Sequence, residues 1–436
     1  MYFIIELEEQ LSKLPVEDYC YIQVIPSNDN VHPKLTSISL VYYRTKSKGY
    51  IFPIKHSEGF SLNLSTVYDF LSKHKKVYVL DAKYSSYFLD LKNYVDIYHT
   101  QVNKINRIIK YECDTRVHND FYFRLNKEVN VNQIIPITKH YEKSECQYNQ
   151  IKHYIGLEGN VEYEREITKV YKYIEEVGIA IDEGSFDEAY QMADKDFCIQ
   201  DKILYSEYNL YTLTGRPTCS YNGLNLTAIP KEEKFRKCYI PKNEYLIEFD
   251  FDAYHLRLIA NLVGYKFPRD IKSVHDYLGK LYLGKDELTE EDYKESKKIS
   301  FRQLYGGVES KYKNIEFLKQ MDDFINSIWS DYLRDGKITL PTNRVILKTE
   351  GINKRKLFNY YIQNLETYEN IKKLKKLIDL TEMMDYKSRI VLITYDAVLL
   401  DFSAEDGKDF LIAVKDILQE GGMVVKHKYG LNYNFD

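Results

Sequence analysis

The first 155 residues alternate short apolar runs with amphipathic ones. "YCYIQVI" (19–25), "LTSISLVYYR" (35–44) and "GYIFPIKH" (49–56) are rich in β-branched and aromatic residues and read as strands. "TVYDFLSKH" (66–74) reads as a helix leading into the strand "KVYVL" (76–80), so this region predicts one α/β domain. From "EREITKVYKYIEEVG" (164–178) a helical period takes over, closed by Gly178. "LTEEDYKESKKISFRQLYGG" (288–307) predicts a helix with Thr289 as N-cap, acids in its first turn and two glycines at its end. Residues 353–380 predict a second long helix. In "YLIEFDFD" (245–252) the strand period sends Phe249 and Phe251 to one face and Glu248, Asp250 and Asp252 to the other. The amphipathic "HLRLIANLV" follows at once. Near the end, "RIVLITYDAVLLDF" (389–402) predicts a hairpin with Tyr395 and Asp396 at its tip.

Composition adds limits. With 436 residues the chain is long enough for more than one core, and no Pro/Ser-rich linker sharpens the boundary near residue 155. A formal charge of −4 excludes a global attraction to polyanions, so any such site must be a local basic patch. Only 14 of the 61 basic residues are arginine, and tyrosine is abundant at 42, a bias that fits A+T-rich coding. Six scattered cysteines without a C-x-x-C read as reduced thiols of a cytosolic protein. The amino terminus does not read as a signal peptide, no apolar run is long enough to cross a bilayer, and no membrane partner is expected.

The chemistry lies in the acids. One aspartate from each of two neighbouring strands can hold a pair of divalent cations ~4 Å apart, and Mg²⁺ favours such oxygen ligands together with substrate phosphates. Lys297, Phe301 and Tyr305 share one face of the 289–306 helix, offering a point charge to a phosphate and a flat wall to a base. Arg355, Asn359 and Gln363 repeat at four-residue spacing and present three hydrogen-bonding heads on one stripe. Taken singly, each of these also reads as a solvated turn, an ordinary core face or a wet helix face.

Read in order, the segments resemble the A family of DNA polymerases, typified by bacterial DNA polymerase I. "TGRPTCSYNGLNLTAIP" (214–230) is similar to its T-G-R and N-L-Q-N-I-P signature, and "DFDAYHLR" (250–257) to its motif A. Tyr293, Lys297, Phe301, Tyr305 and Gly306 approach motif B; Arg355, Asn359 and Gln363 match R-x3-N-x3-Q; "YDA" (395–397) stands at motif C. The resemblance implies an α/β and α+β architecture: an RNase H-like, exonuclease-type domain (1–155), then a polymerase domain (156–436). The latter would comprise an antiparallel-sheet palm (160–265 and 381–436), helical fingers (266–380) and a thumb, at about 183–207, that is reduced or absent. It assigns two Mg²⁺ ions, with Mn²⁺ as substitute, to Asp250, Asp396 and Phe251, while Asp252 falls where the family has serine. Catalysis is assigned to Asp250, Asp396 and Lys297. Nucleotide binding falls to Lys297, Phe301, Tyr305, His255, His275, Tyr293, Lys294 and Arg236, and primer–template contacts to Arg216, Arg355, Asn359, Gln363, Gly306 and Tyr395. Implied partners are primer–template DNA, dNTPs and a processivity or replisome protein.

The sequence also departs from the pattern. His255 replaces the glutamate that crowds a ribose 2′-hydroxyl, Ala397 the motif C glutamate and Tyr293 the first motif B arginine; the short thumb implies low processivity. In the amino-terminal region "LDAKYS" (80–85) is similar to an exonuclease segment, but no D-x-E occurs, and Ser85 and Lys152 stand where acids are expected. That implies a remnant without proofreading. The leading reading is a template-directed DNA polymerase, a nucleotidyltransferase. The alternatives are a primer–template binding component of a replication complex that has lost turnover, and a polymerase tolerant of ribonucleotides.

Overall fold

The computed structural model describes residues 2–125, 129–157, 161–191, 198–219, 224–268, 271 and 273–435. The chain divides into two units, Met1–Glu176 with Ala193–Asp201 and Tyr205–Glu207, and Val177–Met192 with Lys202–Leu204 and Tyr208–Asp436.

The first unit is a six-stranded mixed sheet of order β1-β4-β3-β2-β5-β6, built from β1 (Tyr2–Ile4), β2 (Tyr19–Pro26), β3 (Ile38–Arg44), β4 (Gly49–Pro53), β5 (Lys76–Val79) and β6 (Tyr94–Asp96). β2, β3 and β4 run antiparallel to their neighbours in that series, whereas β5 joins β2 in parallel. Successive residues along these strands supply two separate cores, as the pleat requires. Ile22, Val41, Phe52 and Val77 lie in one; Tyr21, Tyr42, Ile51 and Tyr78 lie in the other. Helix α1 (Leu64–Ser72) covers the first face through Val67, Phe70 and Leu71. Beyond the short α2 (Ala82–Ser86), helix α3 (Ile137–Ile151) covers the second through Ile137 and Ile151.

The unit runs past residue 155 to take in nearly all of α4 (Val161–Val177), which ends at Gly178 with φ +64°. Lys83 of α2 and Glu175 of α4 form a fully buried ion pair, and the Tyr87 hydroxyl donates to Glu175 at 2.7 Å. Two partners satisfy a carboxylate that burial would otherwise penalise heavily. Cys113 and Cys146 form a disulfide with Cα atoms 6.0 Å apart, which corrects the expectation of six free thiols. Their separation of 33 residues carries no local signal; α3 brings Cys146 back to Cys113. Cys20, Cys198, Cys219 and Cys238 are free and buried.

In the second unit β7 (Tyr245–Phe251) leads into α5 (Tyr254–Val263), followed by α6 (Val274–Leu283), α7 (Glu290–Gly306) and α8 (Lys354–Met383). The chain then forms β8 (Arg389–Ile393), β9 (Ala397–Phe402) and β10 (Val425–Gly430). The four strands make an antiparallel sheet of order β8-β9-β7-β10. α7 starts as its sequence predicts: the Thr289 hydroxyl accepts from the Asp292 amide while the Asp292 carboxylate accepts from the Thr289 amide. α8 is capped by Asn353, whose side chain accepts from the Lys356 amide. Of the segment expected as a reduced thumb, residues 192–197 lie outside the described residues, and the described part contains one short helix, Glu183–Tyr190. Residues 220–223 of the T-G-R stretch also lie outside them.

Candidate active site

The second unit carries a cavity of about 820 Å³ whose floor is the acid end of the sheet. Asp250, near the end of β7, pairs in register with Ala397, the residue after Asp396, and the Phe251 amide donates to the Asp396 carbonyl at 2.9 Å. The tip of the β8–β9 hairpin therefore stands beside the end of β7, and both carboxylates line the cavity. Each keeps contact with solvent while protein surrounds it on the other sides. Burial, then the neighbouring charges of Asp396 and Glu248, pushes Asp250 up to about 6; burial also raises Asp396 above the ordinary carboxylate range.

Two strained positions aim these acids. Ala253, between Asp252 and α5, has φ +52°, and Tyr395 has φ +61°, a left-handed conformation that is costly for a side-chain-bearing residue. Both turns are held by Asn370 of α8, which accepts from the Tyr254 hydroxyl at 2.6 Å and donates to the Tyr395 carbonyl at 2.7 Å. The Tyr254 ring in turn stacks on Phe251 at 4.1 Å.

Lys297, Phe301 and Tyr305 of α7 line one wall. Phe301 and Tyr305 are half exposed and nearly parallel, 9° between planes with centroids 6.1 Å apart, so the helix offers a flat aromatic surface to the cavity. His275 of α6 lies against Phe301, with its Nδ1 buried and without a hydrogen-bond partner. Burial and the charge of Lys297 lower it to about 4, so it is neutral at pH 7.

Opposite, Arg216 stacks on the Tyr395 ring at 3.6 Å, and the Thr227 hydroxyl donates to that of Tyr395 at 3.0 Å. Arg216 is anchored through Gly215. A side chain there would meet Asn364 at 2.8 Å and its φ is +74°, while Asn364 donates to the Thr214 carbonyl at 2.8 Å. Glu366, 2 % exposed, then gathers two groups: Arg216 Nε lies 3.0 Å from one carboxylate oxygen and Nη2 donates to the other at 3.3 Å, with His255 Nε2 at 3.3 Å. The other nitrogen of His255 hydrogen-bonds the Tyr305 hydroxyl at 2.7 Å.

The cavity thus brings together Arg216, Arg236, Asp250, Phe251, His255, His275, Lys297, Phe301, Tyr305, Tyr395 and Asp396. Tyr293, Lys294, Gly306, Arg355, Asn359 and Gln363 are not among its lining residues. Tyr293 sits beside Lys297, whose ammonium lies 4.8 Å from its ring, and Lys294 pairs with Glu290 on the exposed side of α7 at 2.8 Å.

No protein-family model matches the chain, and neither does any curated protein. Among solved structures it is similar to the POL domain of Pol1 from M. smegmatis in complex with DNA primer-template and dNTP. The TM-score is 0.68 at 13 % identity, over 100 % of this chain and 99 % of that one. The fold is that of a polymerase domain. On this polymerase fold, Glu366 and Asn370 were missed in reading the sequence. Their signal is present: Arg355, Asn359, Gln363, Glu366 and Asn370 continue one stripe at spacings of four and three along α8. The pairing of Lys426 with Asp252 has no such signal, since β10 reaches β7 from the far end of the chain.

The acid pair carries a measurable cost. With a folded-state pKa near 6 against an ordinary 3.8, Asp250 takes up a proton more readily in the folded than in the unfolded chain. Stability from this group is therefore present at low pH and lost as pH rises through about 4 to 6. In EDTA, Asp250→Asn is expected to melt above the wild type at pH 7.5 and level with it near pH 4. Thermal unfolding at the two pH values checks this, and a mutant less stable at pH 7.5 would contradict it.

Proposed function

We propose that the chain is a template-directed DNA polymerase of the A family, extending a primer 3′-hydroxyl with deoxynucleoside triphosphates. The observation that carries this reading is that Asp250, at the end of β7, and Asp396, at the tip of the adjacent hairpin, line one cavity with Lys297, Phe301 and Tyr305. Among the described residues no group of three or more His, Cys, Asp or Glu is arranged to hold a metal. Two hard carboxylates of raised proton affinity, with main-chain oxygen at Phe251, nevertheless fit Mg²⁺, which commonly takes one or two carboxylates and completes its shell with substrate phosphates and water. Bound there, Mg²⁺ or Mn²⁺ would acidify the 3′-hydroxyl and neutralise charge on the leaving pyrophosphate.

The protein's own groups supply position. Lys297 meets the triphosphate as a point charge, helped by Arg236 and the N–H of neutral His275. The Phe301–Tyr305 surface receives the incoming base, and the His255 ring, hydrogen-bonded to Tyr305 and 3.3 Å from Glu366, bounds the sugar. A ring held there by Tyr305 favours deoxyribonucleotides by crowding a 2′-hydroxyl. Arg216 and Tyr395 face the primer terminus, and Arg355, Asn359 and Gln363 the duplex beyond, where minor-groove acceptors are alike in every correct pair.

In the first unit, a cavity of about 280 Å³ contains Asp29, Asp81 and Ser85 among its lining residues, and we read it as an exonuclease-like remnant without proofreading. One assay tests the whole reading: Mg²⁺-dependent extension of a labelled primer, with deoxy- and ribonucleotides in separate arms and a mismatched 3′ end in a third. We expect deoxynucleotide extension that EDTA abolishes and no trimming of the mismatch. No extension under any nucleotide would sink the proposal.

A further inference from the structure

Resting on this polymerase reading, we infer that Lys426 is a second cationic contact for the triphosphate tail of the incoming nucleotide, held ready by Asp252 when that tail is absent. β10 is the edge strand of the sheet, and Lys426 lies directly opposite Asp250 in the antiparallel register, so the two side chains share the cavity face. Its ammonium stands 2.6 Å from Asp252 Oδ1, yet the side chain is 61 % exposed and lines the cavity. Asp252 is itself buried and has a further cation, Arg257, whose Nη2 lies at 3.5 Å and whose Nε donates to the Asp252 carbonyl at 3.0 Å. When Lys426 turns away, Arg257 still offsets the charge of Asp252, although the buried Oδ2 has no hydrogen bond.

A triphosphate is a polyanion, and of the basic residues of α7 only Lys297 lines the cavity, Lys294 being engaged with Glu290 outside it. His275 contributes an N–H and no charge at neutral pH. Lys426 also interacts electrostatically with His275 and Tyr293 of the helices and with Asp250 of the sheet. A flexible lysine stem anchored on a rigid edge strand then closes the triphosphate between two opposed ammonium groups, one from the helices and one from the sheet.

The test is calorimetric titration of dATP and of inorganic pyrophosphate into the full chain with Mg²⁺, using wild type, Lys426→Met and Lys426→Arg. We expect Lys426→Met to weaken both ligands about tenfold, the size of one charge-assisted contact, and Lys426→Arg to retain most of the affinity. Unchanged affinity in Lys426→Met, or no binding by the wild type, would overturn the inference. Primer extension judges the other reading separately: a wild type that binds dATP through Lys426 but extends nothing would refute the polymerase proposal and leave this contact standing.

Discussion

Asparagine in place of Asp396 is expected to slow Mg²⁺-dependent primer extension about a thousandfold, with binding of primer–template nearly unchanged. Asparagine keeps the volume and one oxygen of the side chain, so the hairpin tip, held by Asn370 and by the Phe251 amide, has no reason to move. What disappears is one of two neighbouring carboxylates, Asp250 at the end of β7 and Asp396 at the hairpin tip. Phosphoryl transfer depends mainly on position and charge neutralisation, and loss of one pre-placed electrostatic group costs on the order of 10²–10³ in rate. A metal carboxylate should fall at the upper end, because its loss weakens the hold on the ion as well as its placement. Single-turnover incorporation of one nucleotide, beside a filter-binding measurement on the same primer–template, separates chemistry from binding. An unchanged rate would remove Asp396 from the mechanism. A loss confined to DNA affinity would make the acid a structural group.

Removing Glu366 should measurably destabilise the cavity wall. Glu366→Ala leaves the Arg216 guanidinium without its carboxylate and frees His255 from one of its two anchors. Breaking a buried pair by deleting one partner costs roughly 3–5 kcal/mol. Arg216 retains 24 % side-chain exposure and its stack on Tyr395, so about 2 kcal/mol is the better expectation here. Urea unfolding checks it: the midpoint should fall with an unchanged slope. A shift below about 0.5 kcal/mol, the range of ordinary surface substitutions, would mean that the carboxylate does not support the wall.

Much of this arrangement was legible before any coordinates. Strand alternation in "YLIEFDFD" placed Glu248, Asp250 and Asp252 on one face, and the two β runs around Tyr395–Asp396 gave the hairpin, because period and turn position are local properties. The Thr289 cap and the extent of α8 were legible for the same reason. Long-range pairing was not. That Asp252 is occupied by Lys426 follows from β10 lying beside β7, a neighbour 174 residues away. Cys113–Cys146 and the buried Lys83–Glu175 pair are likewise products of packing, invisible to any window along the chain. Glu366 is the instructive intermediate. Its place on the stripe was readable, but a glutamate on a Lys/Glu-rich helix reads as solvated until the partners that bury it are known.

Three side chains of α8 within seven residues set the phase of three separate loops. Asn364 grips the turn that carries Arg216, Glu366 takes the arginine itself together with His255, and Asn370 clasps the turns at Tyr254 and Tyr395. The helix acts as an indexing bar: a rotation of about 100°, the angular step of one residue, would carry all three grips off their loops together. A shift of one position along it would dismantle the cavity's geometry without touching either aspartate.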